Sequence, residues 1–65
     1  MIQPILDALL MSNRYRTVQD LQYIPGEDVI YVQRKMGFKS CLVDISGDKD
    51  EEAVKKHLSN VPAIY

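Results

Sequence analysis

Ile2, Ile5, Leu6, Leu9 and Leu10, continued by Asn13, follow the i, i+3, i+4, i+7 spacing of one helical face. Pro4 suits the first turn, where a missing N–H costs nothing. The pattern predicts a helix from about Gln3 to Ser12. Asp7 and Ser12 lie on its other side, with Ala8 and Met11 at the borders, so the apolar stripe is broad and the helix is expected to be largely buried.

A polar, basic connection follows, and then a segment with two readings. Thr17-Val18-Gln19-Asp20 has the form of an N-cap with an acid in the first turn. Val18 and Leu21 stand three apart, which favours a short helical turn over Thr17–Gln22. Thr17, Val18, Tyr23 and Ile24 also suit a strand. Pro25-Gly26 breaks the chain.

From Asp28 to Ser46 the period changes to two. Apolar runs flank Lys35-Met36-Gly37-Phe38, and Gly37 is the natural residue for a tight reversal. A turn at Met36-Gly37 pairs Val32 with Cys41 and Ile30 with Val43 on one face. Tyr31 then pairs with Leu42, and Gln33 with Ser40, on the other. The first strand is apolar on both faces, so a helix on one side and a second cover on the other are expected.

Gly47 and Asp48 then open a second helix. Its acidic start, Asp48-Lys49-Asp50-Glu51, supplies an N-cap acceptor and charges that suit the positive end. Val54, His57, Leu58 and Val61 form one face, and Glu51/Lys55 and Glu52/Lys56 form i, i+4 pairs. Pro62 ends the helix. The apolar tail Ala63-Ile64-Tyr65 either adds a short terminal strand or docks on the core.

The elements define a single α+β domain over residues 1–65, in two layers: helix, short helical turn, antiparallel β-hairpin, helix. Ile5, Leu9, Ile30, Val32, Val43, Val54 and Leu58 are its expected core. So short a chain leans on outside support, because burial barely exceeds the ordering cost. One cysteine excludes an internal disulfide, and Cys41 with His57 cannot complete a zinc site. Self-association or a tight partner is the remaining support. No apolar run spans a bilayer, no basic segment follows Met1, and the lone thiol suits a reducing compartment. A cytoplasmic protein without membrane contact is expected.

Chemistry adds little. Cys41 sits mid-strand and His57 on an apolar helix face, with no third group to orient a nucleophile pair, so no catalytic residue is assigned. The acids Asp48, Asp50, Glu51 and Glu52 lack calcium-loop spacing, and their place at a helix start accounts for them. No phosphate loop, dinucleotide fingerprint or nucleophile elbow occurs. Neither metal nor cofactor is expected.

Two binding surfaces remain. The first is for protein: Val29, Tyr31 and Leu42 on the second sheet face, with Met36 and Phe38 at the hairpin tip. Aromatic and Met side chains bury area while tolerating a wet edge, and an exposed apolar group of this kind usually marks an interface. A homodimer or a larger protein partner is therefore expected. The second is for nucleic acid: Arg14, Arg16, Arg34, Lys35 and Lys39, cations able to hold phosphates. A formal net charge of −1 makes that footprint weak. The function expected is a non-catalytic binding or regulatory protein acting through protein contacts, with nucleic-acid binding as the alternative.

Overall fold

The computed structural model describes residues 2–64. The element order is α1 (Gln3–Met11), β1 (Val18–Ile24), β2 (Val29–Arg34), β3 (Cys41–Asp44) and α2 (Glu51–Leu58). The strands form one antiparallel sheet in the order β1-β2-β3. The fold is α+β, as expected. The last described residue of the tail, Ile64, is buried in the core rather than in a terminal strand, and Tyr65 lies outside the described residues.

The segment from Val18 to Ile24 is a strand, not a helical turn. A β-bulge explains the misleading spacing. The register slips between Val18 and Asp20, so Gln19 is an extra residue. An extra residue reverses the alternation once. Val18 and Leu21, three apart, therefore both turn to the core, where they are 4% and 0% exposed.

The hairpin of β2 and β3 has the expected register: Val32 faces Cys41, Tyr31 faces Leu42 and Ile30 faces Val43. At the tip, the Phe38 N–H donates to the Lys35 carbonyl at 3.1 Å. Gly37 takes φ +96°, a conformation that costs a side-chain-bearing residue dearly. The ladder stops at Val32–Cys41. Beyond it the Arg34 N–H donates to the Ser40 hydroxyl at 3.0 Å, in place of a Gln33–Ser40 pair.

The core takes the inward strand residues Leu21, Ile30 and Val32 and, just past the end of β3, Ile45, together with Leu6 and Leu9 of α1 and Val54 and Leu58 of α2. Fully burying such a side chain is worth about 1.5–3 kcal/mol. Ile5 and Val43, expected in the core, are only partly buried against it. His57 is half-buried.

The second helix ends at Leu58, short of Pro62, so Val61 is buried from the turn that follows rather than on a helical face, and the expected Glu52/Lys56 pair does not form among the described residues. Asp50 caps α2 by accepting the Ala53 N–H at 2.8 Å, and Lys55 pairs with Glu51 at 3.0 Å. The Asp28 carboxylate ties the β1–β2 turn to the start of α2: the Tyr23 hydroxyl donates to it at 2.8 Å and Lys49 pairs with it at 3.2 Å.

Gln3, in the first turn of α1, closes the outer edge of β1. Its amide donates to the Leu21 carbonyl at 3.0 Å, and its Oε1 accepts the Tyr23 N–H at 3.0 Å. One side chain thus stands where the peptide group of a fourth strand would stand. The bonds also fix which backbone groups face outward along the sheet. In an antiparallel ladder, alternate residues point their N–H and C=O to opposite neighbours. Leu21 and Tyr23 turn away from β2. Asp28 and Arg34 turn toward β3, where the Asp28 carbonyl accepts the Ile45 N–H and the Arg34 N–H reaches Ser40. It follows that Cys41 and Val43 pair with β2, while Leu42 and Asp44 point their backbone groups out of the sheet.

Candidate functional site

Two regions gather the side chains singled out in the sequence. The first is the sheet face away from the core. Across it run Gln22, Tyr31 and Leu42 in one row, with Ile24, Val29 and Asp44 in the next. Leu42 is 58% exposed, while Ile24, Val29 and Tyr31 are half-buried. These four apolar side chains belong neither to the core cluster nor to the residues packed against it. Val29, Tyr31 and Leu42, expected together from their parity, are thus brought together. Ile24 joins them through its pairing with Val29, which became legible only once Thr17–Ile24 was a strand.

The patch meets the free edge of β3. That strand has four residues, no proline and no bulge, and no described side chain closes it as Gln3 closes β1. Edge strands of this kind are templates for pairing.

The second region lies between the hairpin loop and the segment after α2. Arg34 was expected at the solvated basic tip. Instead it is 8% exposed. Its Nη1 donates to the Pro62 carbonyl at 3.1 Å; its Nη2 donates to the Ala63 carbonyl at 2.6 Å and to Thr17 Oγ1 at 2.8 Å. The Phe38 ring lies over the guanidinium, its centroid 5.1 Å from Cζ, a favourable cation–π arrangement. The Thr17 hydroxyl is also 2.8 Å and 2.9 Å from the Ala63 and Ile64 carbonyls. This clamp holds the tail, with Val61 and Ile64 buried beside it. The signal was present in the alternation: Arg34 has the same parity as Ile30 and Val32, both fully buried.

The remaining expected residues scatter. Met36 stands fully exposed at the tip, away from the β-ladder, and Phe38 is committed to Arg34. Lys35 and Lys39 are exposed. The Lys35 N–H donates to the Thr17 carbonyl at 2.9 Å, which sets the Arg16–Thr17 turn beside the tip. Arg14 instead lines a small cleft with Tyr15, Lys55 and Ser59. Burial of Tyr15 there raises its hydroxyl above the usual tyrosine range. The basic residues therefore form no single surface with Arg34.

Cys41 is half-buried and lines the cleft beside Arg34. Among the described residues no group of acids, histidines and cysteines is placed to hold a metal ion, and no helix is long and apolar enough to cross a membrane. No family model matches the chain, and comparisons with curated proteins and with solved structures found nothing similar to it.

Proposed function

We propose that this chain is a non-catalytic binding or regulatory protein that acts through protein–protein contacts, using the outer sheet face and the β3 edge. The observation that carries the reading is the Tyr31–Leu42 pair, flanked by Val29 and Ile24, standing outside the core at an edge whose backbone groups point outward. Apolar side chains supply burial, and the outward N–H and C=O of Leu42 and Asp44 supply a strand to add to.

The occupant that fits best is a second copy of the chain. Two β3 strands paired antiparallel about Leu42 set Leu42 opposite its own symmetry mate and Ser40 opposite Asp44. The two sheets join into one of six strands. Antiparallel pairing also lays the end of β3 near Lys35 and Lys39 alongside the end near Asp44 and Asp48 of the other copy, so the charges complement. The arrangement is isologous, as two-fold contacts are.

Light scattering at roughly tens of micromolar tests it. Wild type is expected as a dimer, and Tyr31→Glu and Leu42→Pro as folded monomers. Proline is suited to position 42 because the N–H there faces out of the sheet, so no internal ladder bond is lost. A monomeric wild type overturns self-association. A dimer indifferent to both substitutions puts the contact elsewhere.

A further inference from the structure

Tyr15 is 8% exposed, yet its hydroxyl has no hydrogen-bond partner among the described residues. Nor is that oxygen sealed in: among those residues the side-chain polar atom closed off without a partner is Arg34 Nε. A tyrosine buried this far normally finds a partner for its O–H. Here the residue borders a cleft of about 140 Å³ between the loop after α1 and the last turn of α2, lined by Arg14, Tyr15, Lys55 and Ser59. The charges of Arg14 and Lys55 both act on the hydroxyl, so the oxygen as well as the ring faces the cleft. Burial raises its pKa more than those charges lower it, so it stays protonated and enters the cleft as a donor.

The rest of the lining favours an anion. No acid lines the cleft, and no acid pairs with Arg14 among the described residues. Lys55 gives one hydrogen to Glu51 at 3.0 Å and keeps two. The C-terminal end of α2 opposes an anion, but with a partial charge of about half a unit against two full ones. Its carbonyls at Lys55, Lys56, His57 and Leu58 are moreover already bonded, by the N–H groups of Ser59, Asn60 and Val61 and by the Ser59 hydroxyl. Ser59 gives its hydrogen to the Lys56 carbonyl at 2.6 Å, so it shows the cleft only lone pairs. A ligand thus meets donors from three side chains and an acceptor from the fourth.

We propose that this cleft binds free phosphate, its oxygens held by Tyr15, Arg14 and Lys55 and its own hydroxyl by Ser59. The volume lies below the roughly 300 Å³ at which drug-sized pockets begin, which suits a small ion. Inorganic phosphate keeps a hydroxyl at neutral pH. Sulfate has the same shape and no hydroxyl, and a phosphate monoester has mostly lost its own. None of the four residues belongs to the outer sheet face or the β3 edge, so the site does not depend on the protein-contact reading.

The test is a ¹⁵N NMR titration at constant ionic strength and about pH 7.5, followed at the Tyr15 and Ser59 amides and the Arg14 Nε–H. Phosphate is expected to shift these signals saturably, with a Kd on the order of millimolar. Sulfate and methyl phosphate are expected to bind at least about fivefold more weakly, since neither offers Ser59 a hydrogen. Tyr15→Phe, which keeps the ring, and Arg14→Gln, at an exposed position, should each weaken phosphate about tenfold. Glu51→Gln should tighten it, because Lys55 loses its competing acceptor. The proposal is overturned if phosphate at roughly tens of millimolar moves none of the three signals, or if the shifts spread equally to the Lys35 and Lys39 amides. It is equally overturned if sulfate or methyl phosphate matches phosphate, or if Tyr15→Phe and Arg14→Gln bind like wild type.

Discussion

Replacing Gln3 by alanine tests how the first helix is tied to the sheet. The substitution removes the donor to the Leu21 carbonyl and the acceptor for the Tyr23 N–H, both at 3.0 Å and partly buried. Each such bond is worth about 0.5–1.5 kcal/mol net. The weaker contact of the same amide with Asp7, at 3.1 Å on the exposed side, is also lost. Alanine returns a few tenths of a kcal/mol through its higher helix propensity. The expected net loss is about 1–2 kcal/mol, out of roughly 3–10 kcal/mol for a domain of this length. That lowers the melting midpoint by about 5–15 °C. Urea unfolding followed by circular dichroism measures the loss, and hydrogen exchange of the Tyr23 amide localises it. Gln3→Glu sharpens the test. Ionised, it keeps the acceptor for Tyr23 and sets a charged oxygen against the Leu21 carbonyl; protonated, it regains a donor. Its deficit relative to wild type should therefore shrink as pH falls through the carboxylate range. A Gln3→Ala protein of unchanged stability, with the Tyr23 amide still protected, would show that Gln3 does not tie α1 to the β1 edge.

Three further substitutions probe the core and the acid limb. Ile30→Ala, at a fully buried position of the central strand, should cost about 2–5 kcal/mol, whereas Val43→Ala, only partly buried, should cost about 1 kcal/mol; equal losses in urea unfolding would contradict the assigned burial. The Tyr23 hydroxyl, and after it Lys49, holds the Asp28 carboxyl below its ordinary value of 3.8. A depressed folded value means stability that is present above that ordinary value and is lost as pH falls through the folded value. Asp28→Asn keeps a residue that tolerates the φ of +57° found there. It should flatten the pH dependence of stability below about pH 4, and an unchanged acid limb would show that the Asp28 contacts do not contribute.

The parts of the fold legible in the sequence were those where one period ran without interruption. The β2–β3 register followed from alternation plus one glycine, and α1 from an unbroken stripe of Ile and Leu. β1 was hidden because a bulge at Gln19 gives two core residues a spacing of three, which is also the spacing of a helical turn. Gln3 carried no signal at all. Its role depends on where a strand edge eighteen residues further along comes to lie, and no local pattern encodes that distance.

Arg34 separates what parity can tell from what composition suggests. By composition it belonged with Lys35 and Lys39 as a solvated tip, yet by parity it belonged with Ile30 and Val32. Parity won, because a strand that pairs on both sides must send every second residue inward, whatever that residue is. A guanidinium on the core side needs acceptors, and the turn after α2 brings two backbone carbonyls to it, at Pro62 and Ala63. The tail is therefore docked by a charge as well as by Val61 and Ile64. The same placement divides the two candidate surfaces. Of the even-numbered residues of β2, Ile30 and Val32 enter the core and Arg34 makes the clamp, while the odd-numbered Val29 and Tyr31 are left on the outer face with Leu42. A single alternating strand thus docks the tail on one side of the sheet and presents the apolar patch on the other. A substitution at Tyr31 should therefore leave the tail clamped by Arg34, so the outer face can be tested without disturbing the core side.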